Sequence, residues 1–349
     1  MVSDLHLGAV SGRDVLRMPE PRDRLIEALA KADRVVALGD LLELREQPVA
    51  RVLDAAAPAL AALAEACRDT ELIVVPGNHD HHLADAFIDQ LRLEDQNLGL
   101  EQRTDAAGHP GLLGRLAELL PGPSLSLAYP GVWLRDDVFA THGHQVDVHM
   151  TVPRPEAIMC SVMRRVTLRR APASPADYEA IVDPLYSLFH GIAQASSQTT
   201  MEKTGGASRN VWQMLQAGGL GGFAIGRVAV PAGVLALNRA GFGPFRPEIT
   251  GAELRDSGLR AMSEAVAAMD IRAEHVIFGH THRPWPVEGV DHDWRTPTGA
   301  LLHNTGSWYH EGSLIADAGP SSPYWPGWIT WLDDEGPPRL ENVLRGWAP

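Results

Sequence analysis

The sequence predicts an α/β protein, and three observations predict it. Short unbroken apolar runs, Val35-Val36-Ala37-Leu38 and Leu72-Ile73-Val74-Val75, lead directly into Gly39-Asp40 and Pro76-Gly77-Asn78-His79-Asp80. Continuous apolar runs of this length are the signature of strands buried on both faces. Between and before them lie helical stretches, residues 22–31 with one apolar stripe and residues 49–67 rich in Ala and Leu. The repeated order strand, loop, helix implies parallel strands joined by crossovers. This rhythm stops near residue 148 and resumes near 258. Residues 1–147 and 258–349 are therefore read as one domain, and residues 148–257 as a largely helical insertion, or cap.

The elements follow in order. Ser3-Asp4-Leu5-His6-Leu7-Gly8 reads as a strand end and loop, although only three residues precede Asp4. Either that first strand is very short or the chain lacks a few native residues. After the strand ending at Val75, residues 81–130 are mixed, with a short amphipathic helix over 111–120. Val132-Trp133-Leu134 and Val138-Phe139-Ala140 predict a hairpin that runs into Thr141-His142-Gly143-His144. The insertion holds helices over 155–165 and 176–195, a polar run over 196–200, and a Gly-rich apolar stretch over 219–237. A further helix over 258–269 precedes the strand His275 to Phe278 and Gly279-His280-Thr281-His282. The tail, Leu301 to Trp308 and residues 328–332, reads as antiparallel strands completing the sheet.

Composition narrows the function. The 349 residues are 45% apolar and 21% charged, with a net charge of −14. That balance speaks against general nucleic-acid binding, which calls for a basic face. Two cysteines, Cys67 and Cys160, have no metal-ligand spacing and fit a reduced, cytoplasmic protein with no visible targeting segment. Residues 219–237 are broken by Arg227 and Pro231, which makes a membrane span marginal and a packed cap segment the better reading. A peripheral membrane contact stays open.

The chemistry sits at the strand ends. Asp4/His6, Asp40/Glu43, Asn78/His79/Asp80, His142/His144 and His280/His282 each follow an apolar run. In open α/β sheets ligands bind beyond the carboxyl ends of the strands. Mixed carboxylate and imidazole donors suit Mn, Fe or Zn better than Mg or Ca. Each pair alone is ordinary; five in succession supply more ligands than one ion uses.

The set Asp4-x-His6, Gly39-Asp40-x-x-Glu43, Gly77-Asn78-His79-Asp80, His142-Gly143-His144 and Gly279-His280-x-His282 resembles the calcineurin-like metallophosphoesterases. The resemblance implies a two-sheet α/β/β/α sandwich with two divalent metal ions at the strand ends. It implies that Asp4, His6, Asp40 and His282 hold one ion, and that Asp40, Asn78, His142 and His280 hold the other, with Asp40 bridging. His79 matches the family's proton donor. Glu43 stands where many members have an Asp orienting that histidine, one methylene longer here. The implied activity is hydrolysis of a phosphomonoester, phosphodiester or pyrophosphate bond by a hydroxide bridging the ions. The implied substrate is a phosphorylated small molecule or nucleotide-type compound. A nuclease on the same scaffold and a non-catalytic interaction scaffold are the alternatives.

Some residues are less determined. His144 is read either as a substrate contact or as a hydrogen-bonding support to the ligands, and His81 and His82 as exposed rim residues. His303 and His310 are read as structural. Arg164 and Arg165, within the basic run 163–170, are read either as a solvated helix face or as a site for an anionic part of the substrate. The opening Asp4-Leu5-His6-Leu7-Gly8 and the turn Asn304-Thr305-Gly306-Ser307-Trp308 are similar to the bacterial UDP-diacylglucosamine pyrophosphatase branch, which carries Arg where this chain has His79.

Overall fold

The computed structural model describes residues 1–195, 230–246, 251–287 and 294–348. By internal contacts the chain forms two units: Met1–His144, Tyr186–Ser196 and Ile271–Pro349 make the first, Gln145–Leu185 and Ser197–Asp270 the second. The boundaries differ from the expected 148–257 insertion. The first unit resumes at 271 rather than 258 and also takes in residues 186–196, because one continuous helix, Pro175–Ala195, contributes to both units.

The first unit is built on a mixed, mostly parallel sheet. Strands β1 (Arg34–Leu38), β2 (Glu71–Val75), β4 (Ser124–Arg135), β5 (Val138–Thr141), β6 (His275–Phe278) and β7 (Leu301–Asn304) lie in that order, and β3 (Glu101–Asp105) pairs with β4. β1, β2 and the start of β4 are parallel. The end of β4 is antiparallel to β5, and β5, β6 and β7 are again parallel. β4 thus belongs to both halves, and the sheet curls along it.

Alternation along the strands sends side chains into cores on both faces of the sheet. Val35, Ala37, Leu72, Val74 and Leu127 face a core shared with helices α1 (Pro19–Leu29), α2 (Val49–Ala66), α3 (Asp85–Leu93) and α4 (Leu112–Leu119). Their neighbours Val36, Leu38, Ile73 and Val75 enter a second core with Val132, Val138, Ala140 and Ile277 from the other half of the sheet. Strands covered on both faces have no polar face to present, hence the unbroken apolar runs.

Several expectations need correction. No strand forms before Asp4: Val2 makes a single parallel bridge to Ala37, and Thr330 N–H donates to the Met1 carbonyl. The tail does not complete the sheet in antiparallel fashion. β7 runs parallel to β6, which the long connection between them permits, and β8 (Trp328–Trp331) pairs with β9 (Arg339–Asn342) in a separate two-stranded sheet.

In the second unit, the described helices are α5 (Pro155–Thr167), the first half of α6 (Pro175–Ala195), α7 (Val230–Arg239) and α8 (Gly251–Ala268). The polar run 196–200 and the Gly-rich stretch up to residue 229 lie outside the described residues. No helix among the described residues is long and apolar enough to cross a membrane. Cys67 and Cys160 are both buried and in no disulfide.

Candidate metal centre

The parallel strands deliver their ends to one edge of the first unit. β1 ends in Gly39-Asp40, β2 in Gly77-Asn78-His79, β5 in His142 and β6 in Gly279-His280, while the Val2 bridge precedes Asp4. Asp4, His6, Asp40, His280 and His282 all adopt left-handed backbone, with φ of 54°, 46°, 52°, 63° and 57°. They are five of the eight non-glycine residues with positive φ among those described, so this strained geometry is concentrated at the candidate ligands. Close approach is also required of two glycines. A Cβ on Gly77 would lie 2.2 Å from Asp40 Oδ1, and one on Gly39 would lie 2.1 Å from His142 Nδ1.

Two groups of donor atoms result. Asp4, His6 and His282 form one, with Asp4 Oδ1 3.1 Å from His282 Nε2 and His282 Nε2 3.2 Å from His6 Nε2. Asp40, His142 and His280 form the other, with Asp40 Oδ2 3.2 Å from His142 Nε2. Asp40 Oδ2 is also 3.9 Å from His6 Nε2, so this carboxylate stands between the groups. Asn78 Oδ1 lies 3.1 Å from His142 Nε2 and 2.9 Å from His280 Nδ1. All seven expected ligands are therefore brought together. A third overlapping group, His6, Asp40 and His79, brings His79 within ligand distance as well.

These residues fit cations better than they fit each other. Asp4 Oδ1 is buried and makes no hydrogen bond despite its nearness to His282. Asp4, Asp40 and Glu43 are buried, and among the described residues only imidazoles lie within ion-pair distance of them. Buried carboxylates without a cation are costly. Burial disfavours charge on His6 and His142, yet the surrounding carboxylates outweigh it. The Glu43 hydrogen bond and the Asp40 and Glu43 charges raise His6 to about 9, and Asp40 raises His142 to about 10. Protons take the place of metal charge. Asp40, despite burial, is held well below the carboxylate range by His142 and His79.

Asn78 carries a further sign. Hydrogen bonding alone favours its amide reversed, the nitrogen donating to Asp40, His142 and His280 and the oxygen accepting from Arg45 Nη1 at 2.9 Å. A cation among those ligands favours the oxygen inward instead.

The supporting contacts set tautomers. His142 Nδ1–H donates to the Leu38 carbonyl at 3.1 Å, and His6 Nδ1–H to Glu43 Oε2 at 3.0 Å, so Nε2 is the ring atom each turns toward the donor groups. Glu43 also accepts from His79 Nδ1–H, with its two oxygens 2.8 and 2.7 Å away. One carboxylate thus orients both histidines. It is held far below its ordinary value by His79 and His6, although burial opposes this.

Among the other residues named from the sequence, His81 departs from expectation. His144 is buried against His142, Tyr129 and Tyr186 and belongs to none of the donor groups. His81 is buried between Tyr129 and Tyr186, not exposed on the rim, because the end of α6 covers it; His82 stacks on His190. His303 packs with His275, and His310 with Trp325 and Trp347. Arg164 and Arg165 belong to the second unit.

Sequence reasoning missed three supports. Asp80 accepts backbone N–H bonds from Gly77, Asp40, Leu41 and Leu42 and so ties the β1 and β2 loops together. Its place in Gly77-Asn78-His79-Asp80 was visible, but its partners were not. Ser3 Oγ donates to Asp4 Oδ2 at 2.5 Å, and Arg45 lies 4.3 Å over the ring of Phe189. The first joins sequence neighbours, and the second joins residues too far apart to leave a local signal.

Elsewhere in the first unit Asp137, Glu274 and His275 also lie close enough to share an ion, but Arg135 already engages both Asp137 oxygens. No protein-family profile matches this chain, and no curated protein matches it.

Proposed function

We propose that this chain is a metal-dependent hydrolase. More particularly, we read it as a phosphoesterase of the calcineurin-like kind, acting on a phosphomonoester, phosphodiester or pyrophosphate bond of a small-molecule or nucleotide-type substrate. The observation that carries the reading is Asp40, a single buried carboxylate standing between two groups of metal-type donors. The two cores on either face of the curled sheet support the finer architecture, a two-sheet α/β/β/α sandwich.

Asp4, His6, Asp40 and His282 would hold one divalent cation, and Asp40, Asn78, His142 and His280 the other. Bound there, Mn, Fe or Zn supplies Lewis acidity toward the phosphoryl group and an activated water. The protein groups do the rest. Glu43 accepts from His79 Nδ1–H, and when the ring carries its second proton Nε2–H would give that proton to the leaving oxygen. Asn78 is a neutral ligand and limits the negative charge that would repel a phosphate.

The test is one assay series. Protein loaded with Mn²⁺ is given p-nitrophenyl phosphate and bis-p-nitrophenyl phosphate, and its metal content is measured. The expected result is hydrolysis and two ions per chain. In Asp40→Asn both ions and the activity are lost; in His79→Ala the metal stays and the rate falls by about 10²–10⁴-fold. Inactivity with Mn²⁺, Fe²⁺, Zn²⁺ and Co²⁺, together with fewer than two bound ions, would reject the proposal.

A further inference from the structure

The second unit has a cavity of about 480 Å³ lined by Arg164, Arg165, Arg169, Arg170, Ala171 and Gly241. We propose that this cavity binds a phosphate group, borne by a soluble ligand or by a lipid. The proposal does not rest on the metal centre.

Four guanidinium groups line it and, among the described residues, no carboxylate does, in a chain whose net charge is −14. Two of the four are fixed in place. Arg165 Nη1–H donates to the Ala240 carbonyl at 2.5 Å, and its guanidinium lies 5.2 Å from the Phe242 ring centre. Arg170 donates to both oxygens of Asp177 at 2.8 and 2.6 Å. Arg164 and Arg169 have no side-chain hydrogen bond or ion pair among the described residues. Asp177 thus offsets one of four charges, and an anion in the cavity would offset the rest. Guanidinium forks suit phosphate oxygens, two bonds to each group.

The helix dipole explains cations in the last turn of α5, where Arg164 and Arg165 stand. It does not explain Arg169, which sits past the helix end in left-handed backbone with φ of 56°, a place where Gly or Asn is relaxed. Through that turn Arg169 lines the same cavity as Arg164 and Arg165. A lipid source is worth testing because Val162 and Val166, on the same helix, are 37% and 66% exposed.

The experiment uses the full-length, chelator-treated and dialysed protein, so that no metal centre competes for phosphate. Inorganic pyrophosphate is titrated calorimetrically, and flotation is measured with phosphatidylcholine vesicles with and without phosphatidic acid. Saturable binding is expected, weakened at least tenfold in Arg164→Gln/Arg169→Gln of unchanged circular dichroism. Amide exchange on the wild type reads the same question without a variant: pyrophosphate or vesicles should protect residues 164–171. Binding of pyrophosphate alone supports the site and assigns a soluble ligand. Binding of phosphatidic acid vesicles, with or without pyrophosphate, supports it and assigns a lipid headgroup. Failure to bind either probe, equal binding by the folded double variant, or protection elsewhere only would overturn it.

Discussion

At the scale of single residues, Glu43 joins two functions. Its carboxylate fixes both His6, a candidate ligand, and His79, the candidate proton donor. Glu43→Gln keeps the shape and removes the charge. Metal affinity should fall by about 10–100-fold, as is usual when a ligand loses its orienting partner, and the drop in kcat should persist at saturating metal. Equilibrium dialysis and steady-state rates would separate the two effects. A second prediction follows from the raised histidines. In the metal-free protein His6 and His142 titrate at about 9 and 10 against an ordinary value of about 6.5. Their contribution to stability is therefore full below pH 6.5 and is lost as pH rises through 9 to 10. Metal binding must displace both protons, so titrations at pH 7.5 in buffers of different ionisation enthalpy should show release of about two protons. Melting of the chelated protein should fall between pH 7 and 10 more steeply than that of the loaded one. The candidate ligands were legible because each lies in a short motif, and all but Asp4 and His6 follow an apolar run. Asp80 and Arg45 were not, because their roles depend on partners that only the folded chain brings near.

At the scale of elements, the parallel strands do two jobs: their middles make the cores and their ends carry the ligands. Ile73 is fully buried in the core shared by the two halves of the sheet. Ile73→Ala should cost about 2–5 kcal/mol in denaturant unfolding with little change in slope. In the folded fraction metal content should be preserved, because the strand ends stay anchored by Asp80. Gly77→Ala should affect both. A Cβ there would lie 2.2 Å from Asp40 Oδ1 and 2.7 Å from the Asp40 backbone nitrogen, so metal binding should be lost by dialysis and the melting temperature should fall as well. β1, β2, β5 and β6 were legible as apolar runs. β3 was not, since Glu101-Gln102-Arg103-Thr104-Asp105 has no apolar face to signal a strand. The direction of β7 was also hidden: hydrophobicity does not distinguish a parallel neighbour from an antiparallel one.

At the scale of the whole molecule, the chain is two units sharing one helix. The expected insertion boundaries at 148 and 257 differ from the two units, whose first exchange inside a helix falls at Tyr186, two residues after Pro184. That matters for truncation. Excising 148–257 would remove Tyr186 and Phe189, which pack on His81 and Arg45, and should cost metal binding as well as the cap. Amide exchange should show metal protecting the strand-end loops of the first unit and pyrophosphate protecting the arginine turn of the second, each without the other.

The left-handed backbone at Asp4, His6, Asp40, His280 and His282 has a meaning beyond strain. A ligand on a mobile loop must give up its freedom when an ion arrives. These five have already given it up during folding, when the packed sheet forced their turns. If ions bind there, the geometry they meet is set by the fold beforehand, and the centre should exclude cations of the wrong size by rigidity as much as by donor chemistry.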